Sequence, residues 1–169
     1  MFKVVSGLLS LLVCTGAFAQ QARHGWSFQL HQTPADGVIF PVSSIAEEGP
    51  DTGRRATIFV VCSPYGDLMS FFDPGNAKME GAVSIEFRDG DETKGFTFAE
   101  GVVPYLGHRL KLAPDLAREL LDIFLRADGQ DVPFAMGSKA GVFSSSGAAE
   151  MFQRVQRSCP VKDATPNFH

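Results

Sequence analysis

Ala56-Thr57-Ile58-Phe59-Val60-Val61-Cys62 places apolar side chains on both faces of an extended chain. A strand buried on both sides belongs inside a sheet, so this stretch predicts a central strand. It ends in Cys62. The only partner that survives removal of an N-terminal leader is Cys159, at the end of the last helix-like segment. An even pair of cysteines in an exported chain reads as a disulfide. The fold expected is therefore mainly β: an antiparallel β-sandwich with two helices, one of them disulfide-linked to the central strand.

The leader itself occupies residues 1–19. Lys3 supplies a positive start, residues 4–13 are almost wholly apolar, and Ala17-Phe18-Ala19 fits a small-x-small cleavage site. The apolar run is about ten residues, half of what a membrane-spanning helix needs, so no integral membrane span is expected. A lipoprotein signal acylated at Cys14 is the rival reading, but Val13 stands where such signals carry a small residue. Residues 20–160 then form a single domain and residues 161–169 a flexible tail. Without the leader the chain carries 14 basic and 19 acidic residues, and nothing basic is clustered. That balance argues against nucleic acid or an anionic membrane as partner. The location expected is the periplasm or the exterior of the cell.

Upstream of the central strand, Trp26-Ser27-Phe28-Gln29-Leu30-His31 alternates with period two, with Trp26, Phe28 and Leu30 expected inward. Residues 34–37 turn the chain into a second strand, Val38-Ile39-Phe40, which Pro41 is expected to limit. Residues 43–55 hold Glu47, Glu48, Gly49, Pro50, Asp51 and Gly53 and read as an exposed connection. After Cys62, residues 63–67 turn the chain and residues 68–72 return antiparallel to the central strand. Asp73-Pro74-Gly75-Asn76 breaks that strand. Val83, Ile85 and Phe87, then Phe96 and Phe98, alternate with polar residues about Asp89-Gly90-Asp91-Glu92, a second hairpin. Leu106, Leu110 and Leu112 add a short strand.

Two helices follow from spacing. Pro114 and Asp115 suit a first turn, Leu116, Leu120, Ile123, Phe124 and Ala127 form a stripe, and Asp128-Gly129 closes it. Val132, Phe134 and Met136 then alternate as a strand, and Val142-Phe143 forms a brief one. A serine of Ser144-Ser145-Ser146 is expected to cap the final helix, on which Ala148, Val155 and Cys159 share a face.

Chemistry-bearing clusters are few. His24, His31, His108 and His169 show no metal-ligand spacing, and no serine sits in a nucleophile elbow. Asp89, Asp91 and Glu92 crowd one turn, as a weak calcium site would, but a longer ligand series is missing and a solvated hairpin tip is the simpler reading. No carboxylate pair is singled out for acid–base work, as the arbitrary choices Asp67 with Asp73 and Glu86 with Glu100 show. Thirteen phenylalanines remain after the leader against Trp26, Tyr65 and Tyr105, a balance that favours core packing over sugar platforms. No cofactor, metal or catalytic residue is expected. Recognition is expected on loops, at residues 43–55, 63–67 and 73–80, with Tyr65, Asp67 and Met79 as contacts.

The arrangement resembles the type VI secretion-associated family of periplasmic proteins of Gram-negative bacteria. The residues that carry the likeness are the leader, the early Trp26, the strand into Cys62, and the hairpin at residues 83–87 and 96–98. With them go the helix at 116–125, Val132-Pro133-Phe134-Ala135-Met136-Gly137, and the Gly147-Ala148-Ala149 helix ending at Cys159. The chain is also similar, more weakly, to the invasion-associated protein B family. Both resemblances imply a non-enzymatic accessory protein with a protein partner in the envelope or outside the cell. Two other functions are weighed beside it: a small periplasmic hydrolase using paired carboxylates, and an apolar-ligand carrier lined by Val38, Phe40, Phe71 and Phe134.

Overall fold

A computed structural model describes residues 25–32, 39–49, 55–62, 68–77, 81–103 and 107–159. They form nine strands and two helices. The strands are β1 (Ser27–Gln32), β2 (Ile39–Ala46), β3 (Thr57–Cys62), β4 (Leu68–Asp73), β5 (Val83–Asp89), β6 (Glu92–Val103), β7 (Gly107–Leu112), β8 (Asp131–Met136) and β9 (Lys139–Ser144). The helices are α1 (Pro114–Ala127), between β7 and β8, and α2 (Ala148–Arg157), after β9.

Every strand pairing is antiparallel, and all nine belong to one sheet in the order β1-β2-β3-β4-β7-β6-β5-β8-β9. The class is mainly β with two helices, as expected. The layers differ from two stacked sheets, because the single sheet curls until its ends meet. Glu48 N–H donates to Val142 O at 2.7 Å and Trp26 N–H to Ser146 O at 2.9 Å. The Glu47 carboxylate binds Lys139 Nζ at 2.7 Å and accepts the Ala56 N–H at 3.0 Å. Phenylalanines from distant strands fill the inside. Phe72 of β4 faces Phe143 of β9 at 6.5 Å, and Phe134 stacks on Phe143 at 4.6 Å. α1 contributes Phe124, which meets Trp26, Phe87 and Phe143 edge-on.

β3 is buried on both faces. Ile58 and Val60 point into this core, while Val61 joins Val42 and Phe71 in a second cluster on the outer face, with Phe59 and Met69 packed against it. The inner face of β1, β2 and β3 is covered by α2, and Cys62 is bonded to Cys159 across a separation of 97 residues.

Three local expectations need correction. β2 runs through Pro41 to Ala46, and Ser43 and Ile45 are buried. Pro41 pairs with Leu30 of β1, and the ladder to β3 begins only at the next residue, Val42, so the missing N–H falls just outside that ladder. Leu30 is 61% exposed rather than inward. β1 is the end strand, and the cover over it stops at Phe28, on whose ring Arg154 of α2 lies 4.4 Å from the centroid. Finally, no serine caps α2. Gly147 holds the N-cap position with φ 79°, a left-handed conformation that a serine would strain to adopt, while Ser144 Oγ accepts the Ser146 N–H at 3.2 Å.

Candidate functional site

Of the residues singled out from the sequence, Cys62 and Cys159 form the disulfide, with Cα atoms 5.5 Å apart. Tyr65, Asp67 and Met79 lie outside the described residues, as do His24, His169 and the leader. Phe71 and Phe134, two of the proposed carrier lining, sit on opposite faces of the sheet, one in the outer cluster and one in the core. Asp73 is held by Arg109 at 3.5 Å and accepts the Gly75 N–H at 3.0 Å. Among the described residues no three His, Cys, Asp or Glu side chains gather as a metal site would require.

The acidic turn separates into two parts. Asp91 and Glu92 are exposed at the tip of the β5–β6 hairpin. Asp89 shares the inner register of Ile85 and Phe87, so its carboxylate turns toward α1. There Arg126 grips both oxygens, Nε on Oδ1 at 3.2 Å and Nη2 on Oδ2 at 2.6 Å. Lys94 adds a contact at 3.3 Å and itself reaches Glu119 at 3.7 Å. The hydrogen bond from Arg126 chiefly, with Lys94 behind it, holds the Asp89 carboxyl below the ordinary carboxylate range, and the pairing raises Arg126 in turn.

Beside this clamp the sheet splits. A notch of about 440 Å³ opens between β5 and β8, with Arg88 and Asp89 on one wall, Asp131 and Pro133 on the other, and Ile123 and Arg126 of α1 behind. Its size lies in the range of small-ligand sites, roughly 300–1,000 Å³. Arg88 and Asp131 are both exposed, and neither has an ion-pair or side-chain hydrogen-bond partner among the described residues. The sequence reading did not single out either residue for function. The signal available was Pro133, a proline inside an alternating strand, which breaks a ladder wherever that strand is paired on both sides.

A second groove of about 420 Å³ lies between the end of α1 and the start of α2. Leu125, 42% exposed, forms its lip, and Asp128 and Glu150 bring two carboxylates to it without a cation among the lining residues. Asp128 adopts φ 43° as the left-handed cap of α1. The described residues thus define a disulfide-tied, curled antiparallel sheet with two helices, and two openings beside the C-terminal end of α1. No family model, curated protein or solved structure matches the chain.

Proposed function

We propose that this protein is an exported, non-enzymatic accessory or binding protein of the cell envelope, akin to the type VI secretion-associated periplasmic proteins and, more distantly, to the invasion-associated protein B family. The Cys62–Cys159 disulfide carries the reading. A crosslink of this kind persists in oxidising compartments and is rare in the cytosol. The apolar leader ending at Ala19 supports the same compartment. Its partner is a protein in the envelope or outside the cell, met through Tyr65, Asp67 and Met79.

The segments bearing those residues leave from the two ends of β4, which is six residues long. The test is affinity capture from native envelope with the disulfide-bonded protein, followed by mass spectrometry. Replacing Tyr65 and Met79 together with Ala is expected to abolish capture while leaving the melting temperature nearly unchanged. Capture that survives the double replacement, or fails only when the fold also fails, overturns the placement.

A further inference from the structure

The notch between β5 and β8 has a cause in the sequence and a shape that selects its occupant. The two strands pair through Glu86↔Ala135 and Phe87↔Phe134, and the next pair in that register would be Arg88 with Pro133. Proline has no N–H to give, so the ladder stops there. Which way the neighbouring backbone groups point follows from the two hairpins. Asp89 and Glu92 flank a two-residue turn, as do Met136 and Lys139, and residues flanking such turns are the hydrogen-bonded pairs. Alternation then turns the N–H and C=O of Arg88 away from β6 and those of Asp131 away from β9. Both sets face the notch.

We propose that this notch captures the C-terminus of an extended peptide, with Arg88 taking the terminal carboxylate. The cleft is a wedge, closed at Glu86↔Ala135 and Phe87↔Phe134 and open beyond. A wedge accepts the end of a chain, whereas a continuous strand would need both neighbours a full strand spacing away. At the narrow end stands Arg88, whose guanidinium is uncommitted, while Arg126 is already occupied by Asp89. A carboxylate there gains a bidentate, charge-assisted contact. The peptide's own N–H and C=O groups then meet those of Arg88 and Asp131, as in other cases of strand addition and terminus capture. Asp131, across the opening, confines the negative charge to the Arg88 side. The inference rests on reading the chain as a binding protein but not on Tyr65 or Met79, so the two placements fail independently.

The experiment uses ¹⁵N-labelled, disulfide-bonded protein titrated with a pooled pentapeptide library bearing free C-terminal carboxylates. The same library with amidated C-termini and sodium acetate are run beside it. Shifts at the amides of Arg88, Gln130 and Asp131 with the free-acid pool, at least about tenfold weaker with the amides, support the proposal. Arg88→Gln is expected to weaken binding by about tenfold or more without moving the melting temperature. Pro133→Ala restores the missing N–H, lets the ladder run on and closes the wedge. It is expected to lose binding with stability unchanged or raised. Equal response to amidated peptides, acetate binding as tightly as peptide, no shifts at the notch, or full binding by either variant would overturn the proposal. Envelope capture that fails while the peptide titration succeeds condemns only the loop placement.

Discussion

Asp89 shows how one charge can be positioned by alternation and completed by another element. Grouped with Asp91 and Glu92 it reads as part of a solvated tip, whereas the alternation of Ile85 and Phe87 carries its carboxylate to the core side of the hairpin. Its partner was not legible, because Arg126 arrives from a helix thirty-seven positions away in the chain. The consequence for pH has a definite sign. A carboxyl whose folded pKa is depressed contributes stability above its unfolded value, about 3.9, and loses it as pH falls through the lower folded value. Asp89→Asn is therefore expected to lower the urea midpoint at pH 7, with a deficit that shrinks as the pH falls into the acid range. Urea melts of both proteins across pH 2.5–7 check this. An equal deficit at both ends of that range would mean that packing, not charge, is what Asp89 supplies. Alternation could not settle Tyr65, Asp67 or Met79, because the sequence around them carries no period to fix a direction.

At the scale of elements, the strands that face one core from a regular hairpin were readable, and those shaped by their neighbours were not. Val83 to Phe87 and Phe96 to Phe98 alternate cleanly because one face meets the core and the other water. Pro41 and Pro133 behave alike: each strand runs through its proline and pairs on one side, at Leu30↔Pro41 and Pro133↔Val142, while the ladder on the other side stops one residue short, at Val42 and at Phe134. Which side is left short is set by the neighbouring strand, which no local pattern records. Gly141 is a clearer case of sequence serving packing. It sits directly across from Phe134, and a Cβ there would lie 2.7 Å from that ring. The ring cannot swing away, since it stacks on Phe143 at 4.6 Å. Gly141→Ala is accordingly expected to destabilise by about 1–3 kcal/mol through overpacking. Denaturant melts would measure it, and pairing it with Phe134→Leu should recover part of the loss. A neutral Gly141→Ala would show that β9 shifts freely against β8.

For the whole molecule, the class, the two helices and the disulfide were within reach of the sequence, whereas the single curled sheet was not. Its continuity hangs on two narrow junctions, β4 with β7 and β5 with β8, each recorded as two residue pairs. Their registers depend on how far the sheet curls. The curl also brings the first described strand to the last helix: Trp26 lies 4.6 Å from Phe152 and its N–H reaches Ser146 O. α2 therefore roofs β1, β2 and β3, and its far end is tied down by Cys159 to Cys62. Removing the tie has two separable effects. Chain entropy alone predicts a global loss, roughly 2–5 kcal/mol for Cys159→Ser, acting through the unfolded state. The geometry adds a local one, because α2 and β1 cover each other and neither is held by a two-sided ladder. In Cys159→Ser, amides of α2 and β1 are expected to lose exchange protection together and to open below the global unfolding free energy. Those of β5 and β6, bound to each other by seven register pairs and to β8 and β7 outside, should still open only with the whole fold. Native-state hydrogen exchange on Cys159→Ser and on Cys62→Ser separates the two, since both variants cut the same bond from opposite ends. If protection falls by the same free energy everywhere, the disulfide acts on the unfolded chain alone. If the two variants differ, the loss belongs to a thiol left buried rather than to the missing tie.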